Sequence, residues 1–313
     1  NGSGKHNNWS LATDTGKNLF SPGKTPRQNA QFLVFLAAFI QGVDEYQDFL
    51  RSTVAFAGND HRLGANEAPP AILSIFLGDE LTAVVDSIIN GTNYQEPEKS
   101  VMRIGVDVLP AIPKDTTDRN RTSPLAFTGN KFEFRMVGSS QSIAGPNIAL
   151  NTIMAEQLCR FADALEKAED FDATLQQIVS RALSQHQRII FDGNGYSEAW
   201  KQEAARRGLS NLPSTAEALP AYVSSKNIDL VERHGIFNET EFRARYSIHL
   251  ESYRKVVNIE ARTMVDMAMH QILPAAAAYS GELCQTAAGK KALGVSCRSE
   301  LDLISKLSES QDA

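Results

Sequence analysis

The sequence predicts an α+β protein. Short extended pieces form a partial, barrel-like antiparallel sheet with helices over residues 1–146, and a mostly α-helical region follows over residues 147–313. Three observations predict this. Phe132, Phe134 and Met136 alternate with Lys131, Glu133 and Arg135, the period of two expected of a strand with one apolar face. Phe32, Phe35, Leu36, Phe39, Ile40 and Val43 recur at three- and four-residue steps, which sets them on one helix face. From residue 147 to 307 the helical period dominates, broken at 192–195, 212–214 and near 234–235.

Along the chain, residues 1–12 read as a strand or a loop entering one, with Gly2 and Gly4 marking close backbone approach. Residues 25–57 are helical in pattern. A second helix is expected from Pro69, a favourable first-turn residue, through Ile88 or Ile89, where Asn90-Gly91 stops it. Residues 93–118 form a polar, proline-containing segment around a short apolar patch at 104–109, read as an insertion with its own strand. The strand over 127–137 carries three charges on one face, Lys131, Glu133 and Arg135. The longest helix candidate covers 238–272. Its apolar positions at Leu250, Tyr253, Val256, Val257, Met264, Met267 and Ala268 are expected in core or interhelix packing, and Pro274 is expected to bend or end it.

With 313 residues, 42% hydrophobic and 22% charged, the chain can build a sizeable core and one or two domains. A net charge of -6 and a pI near 5.6 remove any broad electrostatic reason to bind nucleic acid or an anionic membrane. The longest apolar run, 32–40, is far too short to span a bilayer, and no signal peptide is visible. Three unevenly spaced cysteines suggest neither a disulfide framework nor a zinc site; they read as reduced thiols of a cytoplasmic protein. Because the first residue is Asn and a glycine-rich motif begins at once, the chain is expected to be part of a longer protein.

The residues able to carry chemistry fall into four groups. At the start, flexible glycines, one imidazole, amides and a hydroxyl lie within ten residues; on an extended chain His6, Asn8 and Ser10 share a face. The Lys-Ser/Thr ending of a Walker loop is missing. The polar loop 58–70, which runs into the predicted second helix, offers the Arg62 guanidinium, able to hold a carboxylate bidentately, and the Glu67 carboxylate. Residues 118–122 add Arg119 and Arg121, suited to a transferring phosphate. The last group is the charged strand face. Taken singly each has a bland explanation: a glycine loop, a solvated loop or a solvated strand edge.

Their order carries more. Gly2-Ser3-Gly4, His6, Asn8-Trp9-Ser10, then Arg62-Leu63 with Glu67-Ala68-Pro69, then Arg119-Asn120-Arg121, then Phe132-Glu133-Phe134-Arg135 closely resembles the second half of the glutamine synthetase catalytic domain. The loop wording and the run 127–135 resemble the large bacterial type III form, and the resemblance covers about residues 1–150. It implies condensation of glutamate with ammonia using ATP and Mg2+ (or Mn2+), through γ-glutamyl phosphate. By position, His6 and Glu133 match metal ligands, and Asn1 and Gly2 match the positions holding the amino-acid end of glutamate. Arg62 matches the arginine gripping its carboxylate, while Arg135 and Arg121 match arginines facing substrate and phosphates. Glu67 matches the carboxylate that closes the site and takes a proton from ammonium, and Lys131 and Ser10 match nucleotide contacts.

Three departures stand out. Asn8 occupies a place where many bacterial members carry a second histidine, the Arg62–Glu67 interval is one residue shorter than in the commonest bacterial form, and Ala126 lies near the place of a further arginine. The resemblance also implies a homo-oligomeric ring and further active-site carboxylates outside this chain, so the chain alone is expected to be inactive. The alternatives are a non-catalytic assembly or regulatory protein and a phosphagen-kinase-like phosphotransferase.

Overall fold

Asn29 starts the first long helix: its side-chain oxygen accepts a hydrogen bond from the Phe32 amide, satisfying one of the donors a helix leaves open at its N-terminus. The computed structural model describes residues 3–65, 68–92, 94, 101–102, 112–113 and 122–312. Within them the helical pattern of 25–57 becomes a 3-10 turn at Pro26–Gln28, helix α1 (Ala30–Glu45), a break at Tyr46, helix α2 (Gln47–Ser52) and a single turn α3 (Ala57–Asp60). Phe32, Leu36, Phe39, Ile40 and Val43 are all buried, as the period requires.

A four-stranded mixed sheet supports the site. Its order is β1 (Asn7–Trp9), β6 (Phe132–Phe134), β5 (Leu125–Phe127), β2 (Ile75–Phe76). The β1–β6 and β6–β5 pairs are antiparallel, but β5 and β2 run parallel, so the wholly antiparallel sheet expected from sequence is corrected at this edge. The second helix is corrected too. Residues 72–76 lie extended, with Ile75 paired to Leu125, and helix α4 spans Asp79–Ile89, starting ten residues later than Pro69 suggested. Its end stands where Asn90-Gly91 put it, with Gly91 at φ 64. Strands β3 (Val101–Met102) and β4 (Ile112–Pro113) pair antiparallel, in keeping with an insertion containing its own strand; the apolar patch 104–109 lies outside the described residues.

The predicted strand over 127–137 is instead the β5–β6 hairpin. Gly129, at φ 88, permits the tight turn, and the Thr128 amide donates to the Lys131 carbonyl at 2.8 Å. Beneath β1 and β6 lies an aromatic cluster: Phe39 stacks on Phe132 with centroids 3.8 Å apart, and Trp9 stacks on Phe39 at 5.4 Å.

Helices follow: α5 (Ala144–Glu166), α6 (Phe171–His186), α7 (Glu198–Arg206), α8 (Thr215–Tyr222), α9 (Ser225–Arg233) and α10 (Glu239–Met267). One hydrophobic core runs without interruption from Trp9 through Leu150, Val179, Trp200 and Leu230 to Phe242, crossing residue 146. By its contacts the chain forms two compact units, residues 1–250 and 251–313. In the second unit, the end of α10 passes through a π-helical segment (Ala268–Ile272) into α11 (Leu273–Ala292), which packs with α12 (Arg298–Asp312). Pro274 does not end the helix: the chain stays helical through the π-helical segment just before it and on into α11. The apolar face expected to be packed is open instead: Val256, Val257 and Met267 are exposed, and Met264 is 66% exposed.

Candidate active site

Alternation along β1 separates structure from chemistry. Asn7 and Trp9 point inward and are buried, while Asn8 between them is exposed, and His6 and Ser10 flank them on the open side. The register sets Asn8 directly opposite Glu133, which on its other side stands opposite Ala126. Glu133, 127 residues from His6 in the chain, places its Oε1 2.5 Å from His6 Nδ1. The carboxylate is 4% exposed, whereas the imidazole is largely open to solvent. Arg135, 6% exposed, holds the other carboxylate oxygen through Nη2 at 2.8 Å and Nε at 3.2 Å. The charged face of this strand is thus buried and ion-paired, not a solvated edge; Lys131 beside it is half-buried.

An imidazole nitrogen and a carboxylate oxygen are donors of the kind a divalent cation takes; here they contact each other directly, and Arg135 holds the other carboxylate oxygen. Among the described residues no group of three or more His, Cys, Asp or Glu is arranged to hold a metal ion.

Arg62 is engaged with its own chain. Its Nε donates to Ser3 Oγ at 3.2 Å, Nη1 to Asn59 Oδ1 and to the Met136 carbonyl at 3.0 Å, and Nη2 to the Arg135 carbonyl at 2.9 Å. Partial burial lowers its affinity for the proton, and the Tyr196 phenol opposes that shift; the guanidinium stays cationic at neutral pH. Gly4 makes room for it, since a Cβ there would fall 2.0 Å from Arg62 Nη2. Gly4 also bridges to Gly138, whose own Cβ would meet the Phe56 ring at 2.7 Å.

Ser10 pins the hairpin turn: its hydroxyl donates to the Asn130 carbonyl at 2.8 Å and accepts from Asn18 Nδ2. Asn1, Gly2, Glu67 and Arg121 lie outside the described residues. The structure thus brings together His6, Glu133, Arg135 and, through backbone carbonyls, Arg62.

Sequence reasoning missed three side chains that shape this site. Asn59, fully buried, donates to the Val54 and Met136 carbonyls while accepting from Arg62. Asn147 and Asn151 on α5 accept hydrogen bonds from Asn7 and Trp9, both at 2.8 Å. The only signal available for the last two was their four-residue spacing opposite a period-two strand. The loop 58–70 does not run into a helix as predicted: Pro69 and Pro70 are buried in an extended approach to β2.

Residues 174–291 match the glutamine synthetase C-terminal domain. Over 289 residues, 91% of its length, the chain is 50% identical to a type-3 glutamine synthetase of Dictyostelium discoideum, covering 39% of that protein. It is 48% identical over 292 residues to a glutamine synthetase of Bacteroides fragilis (strain YCH46), covering 91% of the chain and 40% of the relative. A glutamine synthetase of Butyrivibrio fibrisolvens is 44% identical over 315 residues, 99% of the chain and 45% of the relative. The chain spans about two-fifths of the length of these curated relatives.

Proposed function

By sequence the chain belongs to the glutamine synthetase family, of the type-3 kind, and from that premise we propose that it supplies one part of an active site joining ammonia to glutamate with ATP. The observation that carries the reading is the approach of His6 Nδ1 to Glu133 Oε1 at 2.5 Å, where exposed β1 residues meet the buried carboxylate of β6, with Arg135 on the other carboxylate oxygen. Those two atoms would hold one Mg2+ or Mn2+. A bound cation supplies charge neutralisation for the phosphates of ATP.

The chain's own residues do the rest. Arg135 is locked by Glu133, so its guanidinium is pre-set beside the place where a γ-glutamyl carboxylate becomes acyl phosphate. Arg121 faces the transferring phosphate. Arg62 orders the segment 135–136 through its bonds to two carbonyls and keeps its positive charge for the α-carboxylate, with Asn1 and Gly2 at the amino end. Glu67 closes the site and accepts a proton from ammonium, so that acyl phosphate meets ammonia rather than water. Lys131 and Ser10 approach the nucleotide, Ser10 by fixing the 128–131 turn.

The enzyme is a homo-oligomeric ring in this reading, acting in the cytoplasm. Among the described residues no helix is long and apolar enough to cross a membrane, and the three cysteines are free.

The test is glutamine formation by the full-length protein, dependent on glutamate, ammonia and ATP together. His6→Ala and Glu133→Gln should each abolish it at low metal. The isolated 313-residue chain should give no turnover. Full activity in either variant sinks the reading.

A further inference from the structure

Strand β1 is three residues long and lies at the edge of its sheet, with β6 as its only ladder partner among the described residues. A strand so short is weakly held by its ladder alone, because a few backbone bonds leave its height and tilt adjustable. Two further ties act on its inner face. Asn7 Nδ2 donates to Asn147 Oδ1, and Trp9 Nε1 donates to Asn151 Oδ1, each at 2.8 Å. Asn7 and Trp9 are two residues apart on the strand and therefore share a face. Asn147 and Asn151 are four apart on α5 and share a face there. The result is a two-rung ladder of side chains between a helix and a strand. His6 precedes the first rung by one residue, and Asn8, between the rungs, stands opposite Glu133.

We propose that Asn147 and Asn151 are positioning residues for the metal-facing edge of the site: they set the height of β1 over β6, and with it the approach of His6 to Glu133. The inference rests on the proposed function, and it gives α5 a part in that site. Both Asn7 and Trp9 are buried, so losing either acceptor leaves an inward-facing donor without its partner. The strand then relaxes in the direction that moves His6. The tolerance is small, since ligands must be held within about half an ångström of productive geometry.

The test uses the full-length protein and Mn2+ as the probe, with the free-Mn2+ paramagnetic resonance signal reporting binding independently of turnover. Asn147→Ala with Asn151→Ala should weaken Mn2+ binding about tenfold, the size expected when a support of a metal ligand is lost. Half-saturation of activity by metal should rise in parallel, while kcat at saturating metal changes little. Asn147→Asp with Asn151→Asp keeps both acceptor oxygens and should restore binding to within about twofold, which a generic packing defect would not do. Single variants extend the test if the double variant folds poorly, Asn151→Ala first because that side chain is exposed. Wild-type Mn2+ affinity in the alanine pair overturns the proposal, as does an aspartate pair no better than the alanine pair. His6→Ala is the control: if it too binds Mn2+ normally, the proposed metal site fails, and this inference with it.

Discussion

Arg62 and Arg135 are joined side chain to backbone: Nη2 of Arg62 donates to the carbonyl of Arg135 at 2.9 Å, and Nη1 to the next carbonyl, Met136, at 3.0 Å. This clamp fits only because Gly4 has no side chain. A Cβ there would lie 2.0 Å from Arg62 Nη2 and 2.6 Å from Cζ. Gly4→Ala should therefore expel the guanidinium, lower stability by about 1–3 kcal/mol as overpacking does, and cut activity more steeply than stability. Urea unfolding and glutamine formation measured side by side check it; an unchanged denaturation midpoint would falsify the close-approach argument.

Glu133 and Arg135 are both nearly inaccessible, at 4% and 6% exposure. Glu133→Gln removes the carboxylate charge that the buried guanidinium bonds through Nε and Nη2, and should cost about 3 kcal/mol. Adding Arg135→Met removes the other charge of this pair and should return part of that stability while leaving the protein inactive. Chemical denaturation of the single and double variants decides the matter: no recovery in the double variant means that the ion pair is not the cause.

Asn59 offers a sharper case, since its amide donates to two carbonyls and its oxygen accepts from Arg62. Asn59→Ala should lose about 2 kcal/mol, the cost of leaving buried acceptors unpaired. Asn59→Asp, although the same shape, points oxygens at both carbonyls and should be worse than alanine. The reverse order in thermal melts contradicts this assignment of the amide.

Glu156 on α5 is buried among His234, Arg160 and Arg233. Burial alone pushes its carboxyl up, but the His234 hydrogen bond and the two arginine charges outweigh that and hold it below its ordinary value of 4.5. A depressed folded value means that the unfolded chain takes up the proton first. The stabilisation is therefore complete above pH 4.5 and is lost as the pH falls through the lower folded value. Glu156→Gln should be less stable at neutral pH and show a shallower loss between neutral and strongly acid solution. Parallel stability curves for the two proteins, recorded by urea titration across that range, would rule this out.

Local patterns were legible because they depend on neighbours in the chain. Alternation on an extended strand put His6, Asn8 and Ser10 on one side, and β1 shows that division between buried Asn7 and Trp9 and exposed Asn8. The three-and-four repeat of α1 and the breaks at 192–195, 212–214 and 234–235 were readable for the same reason, whereas those at 167–170 and 223–224 were not. Where strand pairing competed with local propensity, it won. Pro69 looked like a helix start, yet the pairing of Ile75 with Leu125 keeps the segment extended until Asp79.

By itself, then, the sequence determined which residues share a face of β1, the order of the motifs along the chain, and the family to which that order belongs. Only the tertiary structure brought His6 to within 2.5 Å of Glu133 and tied Arg62 to the carbonyls of Arg135 and Met136. It also tied β1 to α5 through Asn147 and Asn151. The physical reason is range. Periodicity records which side of an element is apolar, whereas a hydrogen bond between residues more than a hundred positions apart depends on sheet register and on the packing of a helix across it, which no local pattern encodes.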